Sequence, residues 1–191
     1  MTTISIIGTG NMGQAISAVA GKGGTTVQLI GEDDATTQVT GDIVVLAVPY
    51  PALSAVIAER GASFAGKIVV DITNPLNFET FDSLTVPADG SAAAEVAAAL
   101  PDSRVLKAFN TTFAATLSSG SVGDATTTVL IAGDDADAKT TLASVVTAGG
   151  LKAVDAGSLK RARELEAVGF LQLTLAAAEK ISWTGGFATV A

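Results

Sequence analysis

The sequence predicts a doubly wound α/β fold, a mostly parallel sheet followed by a long C-terminal helix. Three observations carry that reading. Apolar runs of strand length alternate with longer segments of helical character. Most of those runs are apolar on both faces, as strands must be when helices cover both sides of a parallel sheet. A glycine-rich turn, Gly8-Thr9-Gly10-Asn11-Met12-Gly13, joins the first run to the first helical segment. Right-handed crossovers between successive strands then place helices on both faces.

Taken in order, residues 4–7 form a short buried strand and residues 11–22 a helix. Residues 25–30, rich in β-branched side chains, form the second strand. The run Ile-Val-Val-Leu-Ala-Val over 43–48 is the third, with a helix over 51–60. A fourth strand over 67–72 precedes an Ala-rich helix over 91–100, and a fifth covers 104–109. A sixth over 127–132, a helix over 136–148 and a last short strand over 151–154 complete the sheet. One long helix is expected from 159 to about 182, then a tail beginning at Trp183. Residues 74–90, with Pro75, Phe78, Phe81 and Pro87, lack clear periodicity and read as a functional loop or lid.

Composition narrows the function classes. Of 191 residues, 48% are hydrophobic and 16% charged, which excludes intrinsic disorder. The mean hydropathy of +0.48 invites a membrane reading. Gly, Pro, Asp or Thr interrupts every apolar stretch before the roughly 18–20 residues a spanning helix needs, and no basic segment of a signal peptide is seen. Without Cys there is no thiol nucleophile, disulfide or thiolate site, and without His the commonest general base and metal ligand is missing. Ser-His-Asp hydrolysis and ordinary zinc chemistry are excluded, and no metal is expected. A net charge of −8 and a pI near 4.4 argue against nucleic acid as partner. A cytoplasmic location and a small-molecule substrate, with neither nucleic acid nor membrane as partner, are the expectations.

The glycine turn lies between a predicted strand and a predicted helix, the context that gives G-x-G-x-x-G its meaning. Gly8 permits the tight turn, Gly10 admits a pyrophosphate to the backbone, and Gly13 lets the helix pack close to the strand. A Rossmann-like NAD(P) site follows, spanning residues 1–158 and abbreviated after the second strand. Residues 159–191 form a C-terminal helix and tail packed on that domain or on a partner subunit. After the second strand stands Gly31-Glu32-Asp33-Asp34, with Glu32 24 residues beyond Gly8. A carboxylate there bonds the adenosine ribose of NAD, and three carboxylates without a nearby cation repel a 2′-phosphate. The same run also reads as a solvated acidic turn.

Four motifs occur together in order: Gly8 to Gly13, Leu46-Ala47-Val48-Pro49-Tyr50, Asp71-Ile72-Thr73-Asn74-Pro75-Leu76, and Lys107-Ala108-Phe109-Asn110. The set resembles the deazaflavin-dependent NADP reductase family. That family is related to the N-terminal domain of pyrroline-5-carboxylate reductases and to the cytoplasmic domain of ferric-reducing membrane proteins. The resemblance covers about residues 1–182 and is closest to a short bacterial branch described only as dinucleotide-binding oxidoreductases. It implies that Thr9, Asn11 and Met12 touch the pyrophosphate and the nicotinamide side, and that Ala47, Val48, Pro49 and Tyr50 form the loop over ribose and phosphate. It further implies that Asn74 and Pro75 flank the nicotinamide, with Ala108, Phe109 and Asn110 completing its pocket. NADP is the implied cofactor. The pattern departs at Gly31 and Glu32, where the family carries a Ser/Thr-Arg pair for the 2′-phosphate.

Other residues carry two readings each. Asp71 is a general acid or a carboxylate bonded to N–H groups of its own turn. Lys107 is an anion anchor, a proton donor or a snorkelling edge lysine; with Asn74 and Asn110 it is a candidate for the chemistry. Asp134, Asp135 and Asp137 fail the calcium-loop pattern, because Val145 stands where a bidentate Glu belongs, and instead favour a helix N-terminus. Lys160, Arg161 and Arg163 oppose the dipole of the last helix, screened by Glu164 and Glu166 on a solvated face or held for an acidic substrate or partner subunit. The stripe Leu165, Val168, Phe170, Leu173, Ala176 and Ala177 reads as core or homodimer interface.

The functional expectation is hydride transfer between NAD(P)H and a flavin- or deazaflavin-like acceptor. Carbonyl reduction wants a positioned proton donor, whereas two planar rings held face to face need orientation above all. The alternatives are a non-catalytic NAD(P)-binding sensor or subunit and a reductase of a small imine or 2-oxo acid. Relatives that carry out the last reaction use an all-helical second domain, for which the roughly 33 residues from Leu159 are too few.

Overall fold

The computed structural model describes residues 2–34 and 36–190; Met1, Ala35 and Ala191, which the expected segments include, lie outside the described residues. The main sheet has seven strands: β1 (Thr3–Ile7), β2 (Thr26–Ile30), β3 (Ile43–Leu46), β4 (Ile68–Asp71), β5 (Arg104–Lys107), β8 (Thr128–Gly133) and β9 (Lys152–Gly157). Their spatial order is β2-β1-β3-β4-β5-β8-β9. The first five are parallel neighbours, β8 runs antiparallel to β5, and β9 is parallel to β8. The chain order reverses direction at β1, flanked by β2 and β3, and that crevice at the strand carboxyl ends is where open α/β sheets bind ligands.

The helices α1 (Asn11–Lys22), α2 (Leu53–Arg60), α3 (Ala92–Ala99), α4 (Ala114–Ser119), α5 (Ala136–Ala148) and α6 (Ala162–Ala177) cover two faces. One core, with Ile4, Ile6, Val45 and Val70 of the sheet, packs under α1, α4 and α5. The other, with Val44, Leu46, Val69 and Val105, packs under α2 and α3. Both faces of β3 and β4 are therefore buried, which is why β3 is apolar throughout and β4 is apolar up to its last residue, Asp71.

Three expected strand ends move inward, while β8 and β9 run on to Gly133 and Gly157, past the expected 132 and 154. β3, β4 and β5 end at Leu46, Asp71 and Lys107, short of the expected ends at 48, 72 and 109. The chain leaves the ladder there to build the loops of the site. The last helix begins after a 3-10 turn at Leu159–Arg161 and ends at Ala177, not near 182. Glu179 takes a left-handed φ of 56°, and the Lys180 N–H bonds the Leu175 carbonyl at 2.8 Å, closing the helix in the manner of a Schellman stop. Helix α4 and the hairpin β6 (Ser121–Val122) and β7 (Ala125–Thr126) were not foreseen; they are too short to show periodicity. They reverse the chain between β5 and β8, making that pair antiparallel.

Candidate cofactor and acceptor site

The turn between β1 and α1 is built by its glycines. Gly8 has φ +114°, and a Cβ there would collide with the Ala47 carbonyl; a Cβ on Gly13 would collide with the Gly8 carbonyl. Gly10 is different: its Cβ position has no protein atom within 4 Å. Among the described residues no side chain caps α1, which leaves its first-turn N–H groups without a side-chain acceptor at the positive end of the helix. A backbone that leaves room at Gly10 and free donors beyond it fits a dinucleotide pyrophosphate.

Beside this turn lies a cavity of about 520 Å³, lined by Gly8, Thr9, Gly10, Gly31, Glu32, Ala47, Val48 and Pro49. Glu32 thus stands on the wall just past the end of β2, while the exposed Asp34 folds back on its own turn and accepts the Gly31 N–H at 2.8 Å. Arg60, from the last turn of α2, lines the same cavity and anchors the abbreviated segment. Its guanidinium donates to the Asp34 carbonyl at 2.7 Å and the Thr37 carbonyl at 2.9 Å. A cation is therefore present at the adenosine end after all, supplied from a distant helix.

A second cavity, of about 430 Å³, opens on the other side of the glycine turn. Asn11, Met12, Ile72, Asn74, Phe109 and Asn110 line it, together with Phe113, Leu173 and Trp183. Asn74 and Asn110 lock the two strand-end loops together. The Asn74 Nδ2 donates to the Asn110 carbonyl at 2.9 Å, and the Asn110 Nδ2 donates to Asn74 Oδ1 at 2.9 Å and to the Leu165 carbonyl at 2.8 Å. Gly169 of α6 presses against this pair so closely that a Cβ would strike the Asn74 Oδ1. Phe109 is buried with φ 63°, an unusual backbone for a bulky residue, held by the Thr112 Oγ1 bond to its carbonyl at 2.7 Å. The buried Asn110 Oδ1 has no partner among the described residues. An unspent acceptor at a cavity wall fits the N–H₂ of a nicotinamide carboxamide.

Behind these loops sits a sealed charge cluster. Lys107 Nζ lies 2.8 Å from Asp71 Oδ2 and 2.8 Å from Glu166 Oε1, and donates to the Thr73 carbonyl. Asp71 also accepts the Thr73 N–H at 2.9 Å, and Glu166 accepts the Ala92 and Ala93 N–H groups at the start of α3 at 3.0 and 3.3 Å. All three charged side chains are buried. Burial pushes the Glu166 carboxyl above its ordinary range, with the Lys107 ammonium and the α3 N–H group of Ala92 pulling it back. The turn-bonding reading of Asp71 describes what is seen. The snorkelling reading of Lys107 does not: β5 is interior, and the ammonium is wholly enclosed. Glu166 likewise screens nothing on a solvated face; of the three exposed cations only Arg161 pairs, with Glu164 at 3.3 Å.

Several expected site residues fall elsewhere. Tyr50 turns away from both cavities, its hydroxyl donating to Glu95 at 2.8 Å, and lines a separate hollow of about 400 Å³ between α2 and α3. Pro75 and Ala108 are buried beneath the loops, and Lys107 stands behind them, none lining the two cavities. Arg60, Thr112, Phe113, Leu173 and Trp183 line the cavities without having been foreseen. Their one sequence signal was the lone Trp in an aromatic-poor chain. Asp135 caps α5 through the Ala138 N–H at 2.7 Å with Asp137 in its first turn, as the dipole reading requires. Among the described residues no helix is long and apolar enough to cross a membrane.

Glycine turn, strand-end loops and paired cavities together define a dinucleotide-binding oxidoreductase. The chain is 31% identical over 166 residues to the F420-dependent NADP reductase of Methanocaldococcus jannaschii, covering 85% of this chain and 74% of that enzyme. The family described as NADP oxidoreductase, coenzyme F420-dependent, matches residues 17–75. The chain belongs to this family of coenzyme F420-dependent NADP oxidoreductases. It is also 39% identical over 104 residues to the rat metalloreductase STEAP3, spanning 54% of this chain but only 20% of that protein. The fold superposes on a putative F420-dependent NADP reductase from Arthrobacter sp. FB24 with a TM-score of 0.85, 22% identity and full coverage of both chains. With Plasmodium falciparum pyrroline carboxylate reductase the TM-score is 0.56 at 11% identity, over 81% of this chain and 58% of that one.

Proposed function

We propose that this protein transfers hydride between NADP(H) and a deazaflavin- or flavin-like acceptor. The observation that carries the reading is the pair of cavities meeting at the Gly8–Gly13 turn, one suited to an adenosine phosphate and one walled by aromatic and amide groups. A bound nicotinamide supplies or receives the hydride, two electrons and a proton moving together. The chain's own task is placement. Gly10 and the first turn of α1 hold the pyrophosphate, and the Asn74–Asn110 pair and Phe109 fix the nicotinamide end. Met12, Phe113 and Leu173 keep water from the ring faces. No side chain in the second cavity ionises near neutrality, which suits an acceptor that draws its proton from solvent.

Glu32 contacts the adenosine ribose in this reading, and Arg60 moderates the acidic wall around a 2′-phosphate. The protein acts in the cytoplasm as a homodimer whose contact includes the half-exposed Val168 and Leu171 of α6, with 159–191 serving as an arm over the cofactor domain. Equilibrium ultracentrifugation tests the dimer. The decisive experiment titrates NADPH and NADH separately, before and after Glu32→Arg, and then assays turnover with FMN, riboflavin and a 5-deazaflavin. Glu32→Arg is expected to weaken NADH and strengthen NADPH. Tight dinucleotide binding with no turnover on any ring acceptor would sink the hydride reading and leave a binding module; an unaltered preference would place Glu32 outside the site.

A further inference from the structure

The chain contains one tryptophan, and it lies at the mouth of the second cavity. Trp183 is not carried by a helix. After α6 stops at Ala177 the chain folds into a turn in which the Gly185 N–H bonds the Ser182 carbonyl at 2.9 Å and the Thr184 N–H bonds Ser182 Oγ at 3.1 Å. The segment then returns to α6, where the Phe187 N–H meets the buried Gln172 Oε1 at 3.0 Å. Held at both ends, the turn sets the indole against Phe113, ring centroids 5.1 Å apart and planes tilted by 52°. Even so, 51% of Trp183 remains exposed. A large aromatic fixed by backbone bonds, half in water and facing an apolar hollow, is a surface waiting for a flat ring.

The cavity walls divide by origin. The glycine turn and the strand-end loops contribute Asn11, Met12, Asn74, Phe109 and Asn110, of which Asn74, Phe109 and Asn110 are assigned above to the nicotinamide end. The rest of the lining includes Phe113 just before α4, Leu173 of α6 and Trp183 of the tail. We propose that Trp183 and Phe113 form the acceptor subsite, with the Trp183 indole stacking on a fused, multi-ring heterocycle. This rests on the hydride-transfer reading and narrows it. A small imine or 2-oxo acid has no aromatic face to cover an indole, whereas a tricyclic ring buries one side against the nicotinamide end and the other against Trp183. The subsite selects by area and flatness, so it accepts flavins and deazaflavins alike and leaves their side chains in solvent.

The single tryptophan makes the test direct. Full-length protein saturated with NADP⁺ is titrated with 5-deazariboflavin while Trp183 emission is recorded, and saturable quenching is expected. Steady-state reduction of 5-deazariboflavin by NADPH is then compared for wild type, Trp183→Ala and Trp183→Phe. The alanine variant is expected to raise the acceptor KM about tenfold, the loss from removing one aromatic contact. The phenylalanine variant restores most of it, and NADPH affinity measured by calorimetry stays within about twofold in both. An unchanged acceptor KM in Trp183→Ala, an equal loss of NADPH affinity, or quenching that never saturates would overturn the proposal. If wild type binds NADPH and shows saturable quenching but reduces no ring acceptor, the subsite stands and the hydride-transfer reading fails instead.

Discussion

The Lys107 ammonium meets the Glu166 carboxylate at 2.8 Å with both side chains sealed from solvent. The pair joins the end of the fifth strand to the C-terminal helix, and through the Ala92 and Ala93 N–H groups it also caps α3. Because Lys107 reaches the Thr73 carbonyl too, the same cluster supports the loop carrying Asn74 from behind. Lys107 is wholly enclosed and does not line the second cavity, so the cluster supports the site's loops from within the core.

Lys107→Met therefore leaves two buried carboxylates without their cation. Breaking a buried pair by removing one partner costs about 3–5 kcal/mol, and urea denaturation is expected to show a loss of that size. NADPH binding should weaken as well, since the Thr73–Asn74 turn loses its anchor. A variant less than about 1 kcal/mol below wild type would mean that the cluster carries no more weight than a surface pair.

The second and third glycines of the turn, Gly10 and Gly13, separate stability from binding. Gly13→Ala drives a Cβ into the Gly8 carbonyl, and an overpacked backbone contact costs about 1–3 kcal/mol. Gly10→Ala meets nothing within 4 Å and sits at an ordinary φ of −70°, so the loss is at most about 1 kcal/mol. Its methyl group instead enters the space assigned to the pyrophosphate. Thermal melts with NADPH titrations should show Gly13→Ala melting well below wild type. Gly10→Ala should melt near it while binding NADPH at least about tenfold more weakly. Wild-type affinity in Gly10→Ala would remove the pyrophosphate from this turn.

What sequence made legible was local. Helix α1 and the turn before it announce themselves through glycine spacing and apolar period, and α5 through Asp135 at its cap. The abbreviated segment after β2 was visible as a shortage of residues. The enclosure of Lys107 has no local signal, because its partners come from β4 and α6 and no local pattern records a pairing made across the fold. Arg60 carries no local signal of its role; only the crossover of α2 brings it to the Asp34 and Thr37 carbonyls. Trp183 lies in a tail without periodicity, and its place at the cavity depends on the return to Gln172.

Tyr50 offers a measurement free of overlap, as the chain's one tyrosine. Burial and the hydrogen bond to the Glu95 carboxylate push its phenol up to about 12 from an ordinary 10.0. Spectrophotometric titration of the folded protein is expected to show no phenolate as pH passes 10.0, and Glu95→Gln should bring the midpoint down. A midpoint at the ordinary value in folded wild type would show that the hydroxyl is not held by Glu95.

Glu166 also sets a pH dependence whose sign can be worked out. Its folded carboxyl is raised above the ordinary 4.5, chiefly by burial and slightly by Asp71, against the pull of Lys107 and the α3 N–H group of Ala92. The folded state therefore holds this proton more tightly than the unfolded chain. Its contribution to stability is full below 4.5 and is lost as pH rises through the raised value. Asp42 and Asp155 work in the opposite sense: hydrogen bonds from the Thr3 backbone and from Lys139 hold their carboxyls below the ordinary 3.8, so their contributions are lost as pH falls. A wild-type profile alone mixes the two. Glu166→Gln keeps the size of the side chain and its oxygen acceptor but cannot ionise, so the difference between the two proteins isolates Glu166. Urea midpoints across the acidic to neutral range should show wild type losing ground to Glu166→Gln as pH rises above 4.5. A difference that stays flat or moves the other way would show that Lys107 compensates the buried carboxylate in full.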